Sequence, residues 1–207
     1  MKINLIRHGM TAGNLKKRYI GRTDEPLCDL GIEQIKAGNY PPCKIAAVSP
    51  MKRCIETLNL IYPDVTPILR NDLRECDFGD FEGKNYKELA ENADYQRWID
   101  SGGVLDFPNG ESIIRFKQRC TADFLDLVRS IDEDISIITH GGTISAILEN
   151  LAVEKRNFYE KYCYLRQHRF NRAAGFGGLR LVSVAPAAGG SGWRQQYTAS
   201  GGAGASV

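Results

Sequence analysis

Two short apolar runs in this chain each stop at a histidine. Residues 2–6 precede Arg7 and His8, and residues 135–139 precede His140, with glycine after each histidine. Short apolar runs are typical of parallel strands that are covered on both faces. The carboxyl ends of such strands meet at one edge of an open α/β sheet, where ligands bind. We therefore expect the two histidines to share one site; for either one alone, a capped strand with a surface histidine is the alternative.

Helical patterns separate the apolar runs along the chain. A third strand is expected over 44–48, and alternating strands and helices predict an α/β fold: three layers, with a mainly parallel central sheet and helices on both sides. The expected helices are one that opens at Asp29 and those over 52–62, 85–101, 111–131 and 143–151. The fourth of these has a predicted apolar face made of Ile114, Phe116, Phe124, Leu125, Leu127 and Val128.

The composition excludes several classes of protein. The chain has 207 residues, 43% of them hydrophobic and 25% charged, which fits one globular domain with an appended tail. A net charge of +2 does not indicate a nucleic-acid partner. No apolar run approaches the roughly 18 residues of a membrane span, and the first residues lack the long apolar segment of a secretory signal. We expect a cytoplasmic protein with neither a nucleic-acid nor a membrane partner.

The cysteines do not indicate disulfides or a metal site. Six are scattered along the chain without a CxxC pair, and no histidine and cysteine show the spacing of zinc ligands. Free thiols packed as small apolar residues are expected. A cysteine nucleophile at Cys54 or Cys76 is the weaker alternative.

Residue usage changes abruptly near residue 162. From Tyr162 to Val207 the chain has no Lys, Ile, Asp or Glu, and its charged residues are all arginine. We predict a domain over 1–161 and an atypical, partly disordered Gly/Ala/Arg-rich tail over 162–207, because such a composition buries too little apolar area to offset the cost of ordering. One edge strand is expected within 179–184. A change of reading frame, a fusion and a natural basic tail all remain open as its origin.

The residues around His8 favour phosphoryl chemistry. Imidazole is a nucleophile or a proton carrier near neutral pH. Arginine grips phosphate with two parallel N–H groups. Together they favour attack by a histidine on a phosphoryl group.

Five segments of the chain resemble, in order, the motifs of the histidine phosphatase superfamily, the phosphoglycerate-mutase-like enzymes. They are Arg7–Asn14, Tyr19–Leu27, Ser49–Thr57, Leu73–Gly83 and Thr139–Gly142. The resemblance covers residues 1–150. It implies a phosphoglycerate-mutase-like fold and hydrolysis of a small-molecule phosphomonoester through a phosphohistidine, with no metal and no organic cofactor.

The resemblance also implies a role for each site residue. His8 takes the phosphoryl group and Glu75 protonates the leaving oxygen, with Glu82 as the second candidate for the acid. From the residues alone, Glu75 could instead be a surface carboxylate paired with Arg74 or Lys84. Arg7, Arg53 and His140 count as catalytic because they hold the charge that develops on the phosphoryl oxygens. The implied phosphate-binding residues are Arg7, Asn14, Gly21, Arg53, His140 and Gly141.

Segments 19–27 and 108–112 are most similar to α-ribazole phosphatases, which act late in cobalamin assembly. A small helical cap is expected near 84–112, with Tyr86, Tyr95, Trp98 and Phe107 as candidates for substrate contacts and ordinary packing as the alternative. A phosphoglycerate mutase and a non-catalytic phospho-ligand binding protein are the alternative functions. His168 matches no motif. The oligomeric state is left open, with a homodimer as one option.

Overall fold

A parallel sheet organises the structure, a computed structural model that describes residues 1–151, 168–169 and 180–181. Within residues 1–151 the strand order is β3-β2-β4-β1, with every neighbouring pair parallel. These strands are β1 (Lys2–Arg7), β2 (Ile45–Val48), β3 (Ile68–Leu69) and β4 (Ile135–Thr139). The prediction of a mainly parallel α/β sheet is confirmed; β3, with two exposed residues, was not predicted.

The described part of the tail adds two short strands. β6 (Arg180–Leu181) runs parallel to β1, and β5 (His168–Arg169) pairs antiparallel with β6. Arg180 and Leu181 thus form a strand within the expected range 179–184, but it is not an edge strand because β5 pairs with its outer side. The rest of the tail predicted over 162–207 lies outside the described residues.

Helices cover both faces of the sheet, as predicted. Alternate strand residues point to opposite faces: Leu5 and Ile137 pack on one side, Ile6 and Ile138 on the other. The first side carries α5 and α6, and the second carries α3 with α2 packed against it. The helices are α1 (Ala12–Leu15), α2 (Asp29–Ala37), α3 (Lys52–Ile61), α4 (Ala93–Asp100), α5 (Ile113–Arg129) and α6 (Gly141–Leu151).

The helix predicted over 85–101 was too long. Residues 86–91 form turns instead. The Asn85 side chain accepts hydrogen bonds from the amides of Lys87 and Glu88, both at 3.0 Å, and offers the backbone a local alternative to the helix. Helix α4 starts only after Asn92, whose side chain caps the amide of Tyr95 at 2.8 Å.

Side chains near the predicted cap belong mostly to the core. Tyr95, Trp98 and Phe107 are buried against Tyr19 and Phe81 in a cluster of edge-on and tilted rings, so the packing alternative is correct for these three. The prediction that Ile114 lies on the apolar face of its helix is wrong, since the residue sits in the first turn of α5 and is 67% exposed. None of the described helices is long and apolar enough to cross a membrane.

Candidate active site

The structure brings the two strand-end histidines together. Strands β1 and β4 are adjacent, and Arg7 is in register with Thr139, so the residues that follow each strand emerge side by side. The amide of His8 donates to the Thr139 carbonyl at 2.9 Å, and the centroids of the His8 and His140 rings are 5.2 Å apart. Both histidines are buried. The shared edge of the sheet therefore carries two imidazoles in contact.

The His8 ring is held in one tautomer. Its Nδ1 lies 2.6 Å from the carbonyl oxygen of Gly9, a group that can only accept, so Nδ1 carries the hydrogen and Nε2 keeps its lone pair. Burial, and then the positive charges of Arg7 and Arg53, hold the pKa of His8 well below its usual value. The imidazole is thus neutral near neutral pH, the form in which it is a nucleophile.

Arg53 is fully buried beside these rings. It lies in the first turn of α3, and its guanidinium donates to the carbonyls of Thr23 at 2.7 Å and Gly21 at 2.8 Å and to Nδ1 of His140 at 3.3 Å. Three of its five N–H groups are thereby used, and the other two have no acceptor among the described residues, which leaves them for a ligand. Arg53 is therefore a buried charge, although it lies on a partly exposed helix.

The structure gives His140 different partners from those predicted. Its Nδ1 accepts from Arg53, so Nε2 carries the hydrogen and donates to the Ser49 hydroxyl at 2.8 Å. Both ring nitrogens have partners within the protein, and the expected bond from His140 to a phosphoryl oxygen stays a prediction. In this geometry His140 orients the Arg53 guanidinium. In the sequence, Ser49 is marked only as the first residue of the motif that contains Arg53, not as a partner of His140.

The cysteines near the site are poor nucleophiles. The Cys54 sulfur lies 3.5 Å from Nε2 of His140, and burial raises the pKa of this thiol to about 12. Burial, reinforced by the Glu75 charge, also raises the pKa of Cys76. Neither thiol is ionised near neutral pH, so the alternative of a cysteine nucleophile loses its basis.

Glu75 projects toward the start of α6. One carboxylate oxygen accepts from the amide of Gly142 at 2.9 Å and the other from the amide of Cys76 at 3.0 Å. Burial raises the pKa of Glu75, although these two hydrogen bonds and the charges of Arg53 and Arg7 act in the opposite direction. The alternative of a surface carboxylate paired with Arg74 or Lys84 is wrong.

Gly142 is a site residue that sequence reasoning missed. A Cβ at this position would lie 2.3 Å from a carboxylate oxygen of Glu75, so only glycine lets the carboxylate reach the amide. The signal was the second glycine after His140.

Glu82 and Gly21 hold the loop over Arg53. One oxygen of Glu82 accepts from the amides of Gly21 and Thr23, both at 2.9 Å. The Gly21 amide is therefore paired within the protein, and phosphate binding at Gly21 stays a prediction. Glycine is required there because a Cβ would lie 1.9 Å from the Cys76 carbonyl oxygen. The structure gives Glu82, the second candidate for the acid, this loop-holding position.

Asn14 and Gly141 lie at helix starts. The side-chain oxygen of Asn14 accepts from the Thr11 amide at 3.3 Å in a capping box, which leaves the amide NH₂ as the available end. Gly141 is the first residue of α6. No group of three or more His, Cys, Asp or Glu side chains able to hold a metal ion occurs in the described part of the chain.

A family model described as the histidine phosphatase superfamily, branch 1, matches residues 3–171. The chain belongs to this superfamily. The match runs past the change in residue usage at 162.

Individual relatives within this superfamily carry different activities in their names. An adenosylcobalamin/α-ribazole phosphatase of Salmonella typhimurium is 28% identical over 160 residues, 73% of this chain and 79% of the relative. A 2,3-bisphosphoglycerate-dependent phosphoglycerate mutase of Gloeobacter violaceus is 31% identical over 164 residues, 71% of this chain and 74% of the relative. The crystal structure of the α-ribazole phosphatase from Shigella flexneri has a TM-score of 0.64 at 26% identity and covers 70% of this chain and 77% of that one.

A cleft of about 370 Å³ opens beside Glu75 in this member of the superfamily. Arginines and carboxylates from four segments line it, and sequence reasoning singled out none of them as a site residue apart from Glu75. The lining residues are Gly21, Arg22, Met51, Arg74, Glu75, Asp77, Gly110, Glu111 and Arg119. If an oxygen of a bound molecule lies next to the Glu75 carboxyl group, the cleft has room for the rest of that molecule.

We expect the His8 imidazole to stay neutral, with the hydrogen on Nδ1, as the pH falls through about 6.5, the usual pKa of histidine. Burial and the charges of Arg7 and Arg53 oppose uptake of a second proton. Nitrogen NMR of isotope-labelled histidine, assigned with a His8→Asn variant, measures both the tautomer and the midpoint.

The same measurement on an Arg7→Gln variant is the control. Removing one neighbouring positive charge should move the His8 midpoint upward. A wild-type midpoint at or above about 6.5, the usual histidine pKa, or a hydrogen on Nε2, would contradict the geometry described here.

Proposed function

We propose that this protein hydrolyses phosphomonoesters through a phosphohistidine at His8. The observation that carries the proposal is the neutral, Nδ1-protonated imidazole of His8, whose remaining lone pair is on Nε2. A buried arginine and a half-buried carboxyl group with a raised pKa share its site. Such a set supplies a nucleophile, a charge stabiliser and an acid.

The first half-reaction transfers the phosphoryl group to the protein. His8 Nε2 attacks phosphorus while the bond from phosphorus to the ester oxygen breaks. Glu75 gives its proton to that oxygen, so the alcohol leaves neutral and Glu75 is left as a carboxylate. A glutamate near its ordinary pKa of about 4.3 would already have lost the proton at neutral pH. Burial of Glu75 therefore supports this role.

The second half-reaction reverses the roles. The Glu75 carboxylate takes a proton from water as the water oxygen attacks phosphorus, and the bond from phosphorus to nitrogen breaks with its electron pair returning to His8. Inorganic phosphate is released, and Glu75 is again protonated. Neither step consumes a metal ion or an organic cofactor.

The charge that develops on the phosphoryl oxygens needs fixed donors. We assign this role to Arg7, the two remaining N–H groups of Arg53, the Asn14 amide and the Gly141 amide at the start of α6. In acyl transfer, one preorganised donor of this kind contributes about 3–4 kcal/mol, and we expect a similar order here. His140 contributes by fixing Arg53 through a 3.3 Å hydrogen bond.

The finer proposal is that the substrate is α-ribazole 5′-phosphate. Similarity to proteins named as α-ribazole phosphatases, one by sequence and one by structure, supports it. The similarity to a phosphoglycerate mutase supports the mutase as the second candidate. The two differ in whether water or a reoriented product takes the phosphoryl group from His8.

Phosphate release across a panel of phosphomonoesters tests the proposed function. We expect release from α-ribazole 5′-phosphate to exceed release from 3-phosphoglycerate, with rates unchanged after prolonged treatment with EDTA. Isomerisation of 3-phosphoglycerate without phosphate release would favour the mutase. If EDTA abolishes activity and a divalent ion restores it, the metal-free reaction is wrong. If the protein binds esters of the panel but turns none of them over, the non-catalytic phospho-ligand binding protein is the correct function.

Glu75→Gln keeps the shape of the side chain and removes its proton. We expect alkyl phosphates, whose leaving oxygen needs a proton, to lose about 10²–10⁴-fold in turnover, the usual range for general acid catalysis. p-Nitrophenyl phosphate leaves as a stable anion and should lose much less. Steady-state rates for both substrates measure the difference.

Glu82→Gln is the matched control for this prediction. It changes the carboxylate that accepts from the amides of Gly21 and Thr23. The turnover of the alkyl phosphate and of p-nitrophenyl phosphate should therefore change by the same factor. Equal losses on both substrates in Glu75→Gln would remove the acid role from Glu75.

A further inference from the structure

Arg119 on α5 binds the backbone of the segment that ends at Glu75. One terminal nitrogen donates to the carbonyls of Asp72 at 2.7 Å and Arg74 at 2.8 Å, and the other donates to the carbonyl of Glu75 itself at 3.0 Å. Residues 74–77 have no helix or strand of their own, so their backbone position depends on such bonds.

Glu111 fixes Arg119 from the opposite side. Its two carboxylate oxygens accept from Nε at 2.6 Å and from a terminal nitrogen at 2.8 Å, and both side chains are about four-fifths buried. A guanidinium has five N–H groups, and the five bonds of Arg119 to Glu111 and to the three carbonyls use all of them. Lysine, with three donors on a flexible stem, cannot reproduce this set.

The loop that carries Glu111 is attached to the same segment. The amide of Glu111 donates to the carbonyl of Asp77 at 2.9 Å, and a Cβ at Gly110 would lie 2.6 Å from that oxygen. The turn over 108–112 therefore lies directly against the chain that follows Glu75. Its close approach places the Glu111 carboxylate within reach of α5.

Other bonds hold the rest of the segment to the sheet. The hydroxyl of Thr139 donates to the Leu73 carbonyl at 2.7 Å, and the hydroxyl of Thr143 donates to the Arg74 carbonyl at 3.2 Å. Only Arg119 provides a side-chain donor to the Glu75 carbonyl among the hydrogen bonds of the described residues. The position of the Glu75 carboxyl group relative to the Gly142 amide thus depends on Arg119.

We propose that Arg119, oriented by Glu111, is the positioning residue for the acid Glu75. This inference rests on the proposed function. Proton donation to a leaving oxygen requires the carboxyl group within hydrogen-bond reach, and misplacement by about 1 Å can cost on the order of 10²-fold. Neither residue needs to touch the reacting atoms; Arg119 acts through the backbone of residues 72–75.

The test compares an alkyl phosphate with p-nitrophenyl phosphate in Arg119→Gln. We expect kcat on the alkyl ester to fall about 10-fold to 100-fold, a part of what general acid catalysis contributes. On p-nitrophenyl phosphate the rate should fall much less. Arg119→Lys should restore little of the alkyl rate, because the geometry of the guanidinium is lost although its charge is kept. Glu111→Gln provides a second, milder variant that should shift the two rates in the same direction.

Arg70→Gln is the matched control. Arg70 also ties the chain before Glu75 to α5, through ion pairs with Asp123 and Asp126, but it contacts neither Glu75 nor Glu111. We expect this variant to lower the melting temperature without changing the ratio of the two rates.

A double variant separates positioning from general destabilisation. In a Glu75→Gln background, Arg119→Gln should add nothing further to the difference between the two substrates. Equal losses on both substrates in Arg119→Gln and Glu111→Gln, with Glu75→Gln still selective, would overturn the positioning role and leave the proposed function intact. If Glu75→Gln is itself not selective, the acid assignment and the positioning role both fail.

Discussion

The parallel pairing of β1 with β4 is the constraint on which the rest of the site depends. With Arg7 in register with Thr139, the residues that follow the two strands are His8 and His140, and their rings touch. Side-chain alternation on both strands directs Ile6 and Ile138 to the α3 face, which holds α3 against the same edge. Because the register is fixed by apolar residues on both faces, a slip by one residue would exchange the buried faces and separate the histidines.

The site holds positive charge in a buried environment, and this charge affects both His8 and Glu75. Arg53 is held by the carbonyls of a loop that Glu82 in turn supports, so a fully buried cation keeps all but two of its N–H groups paired. The same charge, with burial, keeps His8 neutral and available as a nucleophile. At Glu75 the two effects oppose each other. Burial raises the pKa of this carboxyl group more than the nearby arginines lower it, so Glu75 keeps its proton to higher pH. The environment of each group therefore separates a neutral nucleophile from a protonated acid.

The apolar runs and motifs predicted much of the fold and placed His8 and His140 together at one sheet edge, because strand ends and the residues that follow them are local features. What the sequence could not show were partners far along the chain. His140 and Ser49 are 91 positions apart, and the Gly21 amide is 61 positions from Glu82, to which it donates. Both hydrogen bonds depend on side-chain directions that the sequence does not show. The same holds for Arg119, because the sequence does not distinguish it from the other charged residues of its helix. Helix α4 is shorter than predicted because the Asn85 side chain bonds the amides that follow it and forms turns in place of a helix. The spacing of apolar residues does not reveal such side-chain bonds.

The central claim is that His8 accepts the phosphoryl group, and trapping the covalent species tests it most directly. The wild-type protein is quenched in base during turnover of a radiolabelled phosphomonoester, and the labelled peptide is identified by mass spectrometry. We predict a base-stable, acid-labile phosphate on the peptide that contains His8, absent from a His8→Ala variant that retains its fold by circular dichroism. Turnover with no labelled protein under a quench fast enough to resolve it, or label on a peptide without His8, would contradict the account.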